Sequence, residues 1–193
     1  MRGKIRYRIL RILANNSSGD ISKYSIARQA DCSYPWVREF FLKLAEMELV
    51  KGTKVLDYPA LLHYWQSVRL KQKHREYMLR DPLEFLKHSH LSYALTTYQA
   101  ENLVQNYLFP SRVDIYIKES DWEQWHNMLS KKGLVGKGNM RLILSDEHVF
   151  YNSFEKDGMK IVSMPQLIID LINEGVVCVE AAELLIERIA KNV

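Results

Sequence analysis

Two helix starts lie close together near the N-terminus, and the gap between the helices they open leaves the chain little freedom. Ser22 is placed to cap a helix over roughly Lys23 to Ala30, and Ser33 to cap a second that runs to about Met47. Only Asp31-Cys32 separates them. Pro35 stands in the first turn of the second helix, where a missing N–H does no harm. Val37, Phe40, Phe41, Leu44 and Met47 recur at the 3.6-residue period and predict its buried face.

The flanking segments complete a small module. Ile5, Ile9, Ile12 and Leu13 predict a helix over Lys4 to Ala14, with Lys4, Arg6, Arg8 and Arg11 on its remaining positions. Asn15 to Asp20 is a run of turn formers that ends it. After the Ser33 helix, Leu49-Val50-Lys51 reads as extended, Gly52-Thr53 as a turn, and Lys54-Val55-Leu56 as the returning strand. Three helices and a hairpin are expected.

Ile26-Ala27-Arg28-Gln29-Ala30-Asp31-Cys32-Ser33-Tyr34-Pro35-Trp36-Val37, continued through Leu44 to Leu49-Val50, resembles the helix-turn-helix core of winged-helix regulators. Asp31 stands where a Gly is common, and Asp tolerates a left-handed conformation better than most residues. Tyr34, Pro35 and Trp36 are bulkier than the small polar residues that often open such a helix.

A major groove about 12 Å wide admits one helix, whose N-terminal side chains reach base edges. Ser33, Tyr34, Trp36, Arg38 and Lys43 are therefore the candidate groove residues, with Arg38 suited to guanine and Lys43 to phosphate. Lys51, Thr53 and Lys54 in the hairpin are candidates to grip the backbone. The alternative reading, in which Trp36 and Tyr34 extend the core or a dimer contact, stays open.

Charge agrees with this division. Residues 1–80 hold 16 Lys/Arg against 7 Asp/Glu, and residues 81–193 hold 11 against 16, so a net of +9 faces a net of −5. Leu61, Leu62 and Trp65 mark a further helix, expected to continue as a basic linker helix through Ser67 to Arg80. Asp81-Pro82 is the expected boundary, giving domains over 1–80 and 81–193. The chain of 193 residues is long enough to bury a core without disulfides or metal. Cys32 and Cys178 read as reduced, semi-buried thiols. Arg8 and Arg11 interrupt any leader-like apolar run, and no stretch is long enough to cross a membrane, so a cytoplasmic location is expected.

The second half predicts a mixed α+β domain. Ser92 to Tyr107 reads as a helix and Arg112 to Ile117 as a strand. Ser120 and Glu123 suggest a capping box before Trp122, Trp125 and Leu129. Gly133 to Asn139 reads as a loop, and Met140 to Leu144, Val149 to Asn152 and Lys160 to Ser163 as strands. Helices are expected from Met164 to Gly175 and from Val179 to Ala190.

Ser92-Tyr93-Ala94-Leu95-Thr96, Val113-Asp114-Ile115-Tyr116-Ile117, Ile161 to Leu171 and Glu180 to Leu185 resemble, in order and spacing, the C-terminal region of the AbiEi family, antitoxins and regulators of type IV toxin–antitoxin systems. The resemblance implies a fold of α+β class: a winged helix-turn-helix followed by a degenerate nucleotidyltransferase-like domain. It also implies repression of its own operon and a nucleotidyltransferase-like toxin as partner. Binding as a homodimer on an inverted repeat of double-stranded DNA is expected, with no cofactor.

A working nucleotidyltransferase needs two carboxylates on one strand face to hold Mg²⁺. Asp114 lies on the strand, but its same-face neighbour is Tyr116 and no Gly-Ser dipeptide precedes it. His88 and His90 lack further ligands at metal spacing. An enzyme is therefore not expected. The rival readings are a divergent nucleotidyltransferase using Asp114, and an interaction protein that binds nucleic acid without sequence choice.

Overall fold

The computed structural model describes residues 2–190; Met1 and residues 191–193, which the domain expectation also included, lie outside them. The described residues fall into two compact units. One runs up to Leu70 and resumes at Ile186, and the other is Lys71–Leu185.

In the first unit, α1 (Arg2–Asn15), α2 (Lys23–Gln29) and α3 (Tyr34–Glu46) precede a hairpin of β1 (Val50–Lys51) and β2 (Lys54–Val55). Asp57 then caps α4 (Tyr58–Ser67), its carboxylate accepting from the Ala60 N–H at 2.9 Å. The core is built from Ile9, Ile12 and Leu13 of α1, Ile26 of α2, Val37, Phe41 and Leu44 of α3, and Leu61, Leu62 and Trp65 of α4. The three expected N-terminal helices and the hairpin are present, as is the helix marked by Leu61, Leu62 and Trp65. Two side chains depart from expectation. Met47, predicted buried, is exposed; it is the C-cap residue of α3, which ends at Glu46. Arg11, predicted on the polar face, is only 2% exposed, with its guanidinium over the rings of Tyr7 and Trp65.

The predicted linker helix through Ser67–Arg80 is not formed. α4 stops at Ser67, and the chain enters β3 (His74–Leu79). Asp81-Pro82 is consequently no boundary between the units: Asp81 caps α5 (Pro82–Lys87), accepting from the Glu84 N–H at 3.0 Å.

The segment predicted as one helix over Ser92–Tyr107 divides into β4 (Ala94–Thr96) and α6 (Thr97–Gln105). Then follow β5 (Val113–Lys118), α7 (Trp122–Lys132), β6 (Gly133–Val135), β7 (Met140–Ser145), β8 (Phe154–Lys156), β9 (Met159–Ile161), α8 (Met164–Glu174) and α9 (Val177–Ala190). Ser120 does not cap α7; its hydroxyl donates to Asp121 in the 3-10 turn ahead of the helix. Val149 lies in a second 3-10 turn rather than a strand.

The strands form one sheet in the order β6-β3-β7-β5-β4-β9-β8. β3 is antiparallel to both neighbours, and β5 is parallel to β7 with Asp114 opposite Arg141. Between β6 and β7 the chain hops over β3. Gly138 lies against the Tyr77–Met78 peptide, where a Cβ would stand 2.2 Å from the Tyr77 carbonyl oxygen. Asn139 replaces a missing strand partner: its amide accepts from Leu79 N–H and donates to Leu79 C=O, both at 2.9 Å. Among the described residues no helix is long and apolar enough to cross a membrane.

Candidate nucleic-acid interface

The turn between α2 and α3 is made by one left-handed residue. Asp31 adopts φ 55°, the conformation its position requires, and the Cys32 N–H closes on the Ala27 carbonyl at 3.0 Å. Arg8 of α1 supports the α2 terminus, donating to the Ala30 carbonyl at 3.2 Å and lying 3.4 Å from the Asp31 carboxylate. Ser33 occupies the N-cap position with extended backbone, but its hydroxyl makes no capping bond. The exposed hydroxyl stands at the solvent end of α3.

The candidate groove residues occupy two sides of α3. With about 100° of turn per residue, Arg38 and Lys43 point roughly 140° apart, while Trp36 and Lys43 fall within about 20° of each other. Tyr34 and Arg38 are exposed on one flank. Trp36 and Lys43 share the other with Phe40 and Glu39, and Arg6 of α1 completes a cleft of about 370 Å³. Trp36 packs on Phe40 at a centroid distance of 5.4 Å, and Phe40 on Tyr64 at 6.3 Å. Half-buried Trp36 thus packs on the core through Phe40 and keeps part of its surface exposed. Arg6 belongs to this group, and its place on a different helix hid it from a reading of α3 alone. Between the flanks, Pro35, Leu42 and Glu46 face solvent.

In the hairpin, Lys51 pairs directly with Lys54 across the strands, and both are exposed. Like charges opposite one another disfavour the hairpin unless an anion lies between them. Gly52 makes the turn at φ 68°. Thr53 is engaged otherwise: its hydroxyl donates to the Gly19 carbonyl at 2.9 Å, tying the hairpin to the α1–α2 loop. The Val55 N–H donates to the Ser17 carbonyl at 2.9 Å, a second tie to the same loop.

In the second unit Asp114 is fully buried and heavily engaged. Arg112 donates from Nε at 2.6 Å to Oδ1, and Arg141 from Nε at 3.1 Å to Oδ1 and from Nη2 at 2.9 Å to Oδ2. Thr97, held at φ 50°, donates its hydroxyl to Oδ2 as well. Glu174 closes the lattice, accepting from Arg112 at 2.7 Å and Arg141 at 2.8 Å. Burial works against both guanidinium charges, but Asp114 and Glu174 outweigh it and raise both proton affinities. Burial likewise pushes the Glu174 carboxyl up, and the hydrogen bonds from Arg141 and Arg112 more than reverse that, holding it below its ordinary range.

Tyr116, the same-face neighbour of Asp114, donates to Asp170 at 2.9 Å, and Thr96 and Gln166 donate to the same carboxylate. Asp114 and Asp170 thus lie in separate hydrogen-bond sets. His88 turns Nδ1 to the Glu84 carbonyl at 3.0 Å, and His90 is exposed. Among the described residues no three His, Cys, Asp or Glu side chains gather as a metal site. Compared with known proteins, the chain matches no family model, no curated protein and no solved structure.

Proposed function

We propose that this protein is a sequence-specific DNA-binding transcriptional regulator whose first unit acts as a winged helix-turn-helix. One observation carries the reading: α2 and α3, joined by a short turn at Asp31, present an exposed N-terminal α3 surface, and the hairpin that follows sets two exposed lysines, Lys51 and Lys54, opposite each other. A helix for the groove and a cation pair for the adjoining backbone is the division of labour that duplex binding demands. Arg38, exposed on the Tyr34 flank, reads a base edge. Lys43, Lys51 and Lys54 neutralise phosphates, and Ser33 offers its free hydroxyl near the helix start. Thr53 contributes by holding the hairpin in place.

On this reading the second unit, like the C-terminal region of the AbiEi antitoxins it resembles, is a nucleotidyltransferase-like domain that binds protein. The partner is a nucleotidyltransferase-like toxin, and two copies of the regulator repress their own operon from an inverted repeat in the cytoplasm. The engagement of Asp114 with two arginines and Thr97 supports a structural part for that carboxylate rather than metal binding.

A gel-shift assay on the DNA upstream of its own gene tests the proposal. Specific binding that weakens steeply with salt is expected. Equal affinity for random duplex, for RNA and for the upstream DNA would replace it with non-specific binding.

A further inference from the structure

The cleft on the Trp36 flank of α3 has a composition that duplex binding does not require. Two cations, Arg6 and Lys43, and one carboxylate, Glu39, line it beside the rings of Trp36 and Phe40. None of the three charged groups forms a hydrogen bond or ion pair among the described residues, whereas Arg8 on the same helix as Arg6 is paired with Asp31. Phe40 is buried and packs on Trp36 at 41°, so it backs the half-buried indole, whose remaining surface is what a planar group can lie against. A volume of about 370 Å³ is within the range of small-molecule sites, about 300–1,000 Å³.

Lys43 can meet a phosphate at the edge of the α3 surface, but a continuous phosphate track favours cations alone, and a carboxylate among them repels the backbone. The same carboxylate beside an aromatic wall suits a ligand that carries an N–H donor as well as an anionic group. We propose that this cleft binds a small planar aromatic anion bearing an N–H: its ring against Trp36, which Phe40 backs, its anion between Arg6 and Lys43, and its N–H donated to Glu39. Ligand chemistry of this kind comes from two sources, a purine nucleoside monophosphate or an aromatic carboxylic acid. Because Trp36 and Lys43 line the cleft and also belong to the proposed DNA surface, an occupied cleft competes with the operator. That coupling rests on the DNA-binding reading; the ligand site does not.

Isothermal titration of the full chain with GMP, and separately with indole-3-carboxylate, tests the site without DNA. At least one probe binds saturably, and which one does so identifies the source. Trp36→Ala and Arg6→Gln each weaken binding by about tenfold, the size of one stacking or charge-assisted contact. Trp36→Phe retains binding, and Arg69→Gln, an equal change of charge elsewhere in the first unit, leaves it unaltered. Circular dichroism confirms that each variant is folded.

No binding of either probe at millimolar concentration overturns the site, as does equal binding by wild type and Arg6→Gln. If neither probe binds while Arg6→Gln weakens operator binding, the cleft serves the DNA backbone and the ligand site is refuted. If a probe binds in the expected pattern and no duplex is retained, the ligand site stands and the DNA-binding reading falls.

Discussion

Arg141 reaches across from β7 and holds both oxygens of Asp114 on β5, at 3.1 and 2.9 Å, from the position directly opposite it in the parallel ladder. Arg112 shares the same carboxylate, so two guanidinium groups depend on one buried anion. Removing one member of a buried ion set leaves the others desolvated and uncompensated. Asp114→Asn should therefore lower unfolding stability by about 3–5 kcal/mol, measured by urea denaturation.

Acid should weaken the same lattice through Glu174. Its folded-state proton affinity lies below the ordinary carboxylate value, so its contribution is fully present above about pH 4.3 and is lost as pH falls through the lower folded value. The melting temperature of wild type should exceed that of Glu174→Gln at pH 7. The gap should close in more acidic buffer. A gap that persists unchanged at pH 3 would show that Glu174 does not act through its charge.

Gly138→Ala tests the hop over β3. Its Cβ would meet the Tyr77 carbonyl oxygen and the Met78 nitrogen, backbone atoms that cannot rotate away. The expected loss is at the upper end of about 1–3 kcal/mol by chemical denaturation. Gly136, where a Cβ would meet nothing within 4 Å, supplies the contrast, although its φ of 139° also makes Ala there strained.

The two sides of the DNA surface should separate by specificity. Arg38→Ala should cost about 1–3 kcal/mol on the preferred operator and relax sequence choice. Lys51→Ala should weaken all duplexes nearly equally and reduce the salt slope by about 1. Binding isotherms at several salt concentrations check both. If Arg38→Ala and Lys43→Ala leave binding unchanged, α3 is not the reading helix.

The first unit was largely legible because its signals are local. Ser22, Pro35, Asp57 and the apolar period of α3 each act within a few residues, and the helices follow them. β3 is not legible as a strand because His74-Arg75-Glu76 carries no apolar alternation, and its strand character comes from pairing on both sides. The Ser92–Tyr107 error has a similar origin: a helical composition is divided at Thr97, whose left-handed backbone and bond to Asp114 are set by tertiary contacts. Of the candidate residues on α3 and its cap, Ser33, Tyr34, Arg38 and Lys43 are legible as exposed positions, whereas the half-burial of Trp36 against Phe40 is not. The cleft that joins Trp36 and Lys43 to Arg6 was not, because it depends on the packing of α1 against the rest of the unit.

The hop over β3 also has a mechanical meaning. β3 follows Leu70, where the first unit gives way to the second, and it is bonded along both edges to a segment that passes from one side of it to the other. Tension entering the second unit from that end runs along the strand, so it loads the ladders on both edges in shear. Their bonds share the load and must fail together, instead of opening one at a time like a zip. A strand with little apolar alternation at its start is thereby fastened along both edges at one of the points where the chain enters the second unit.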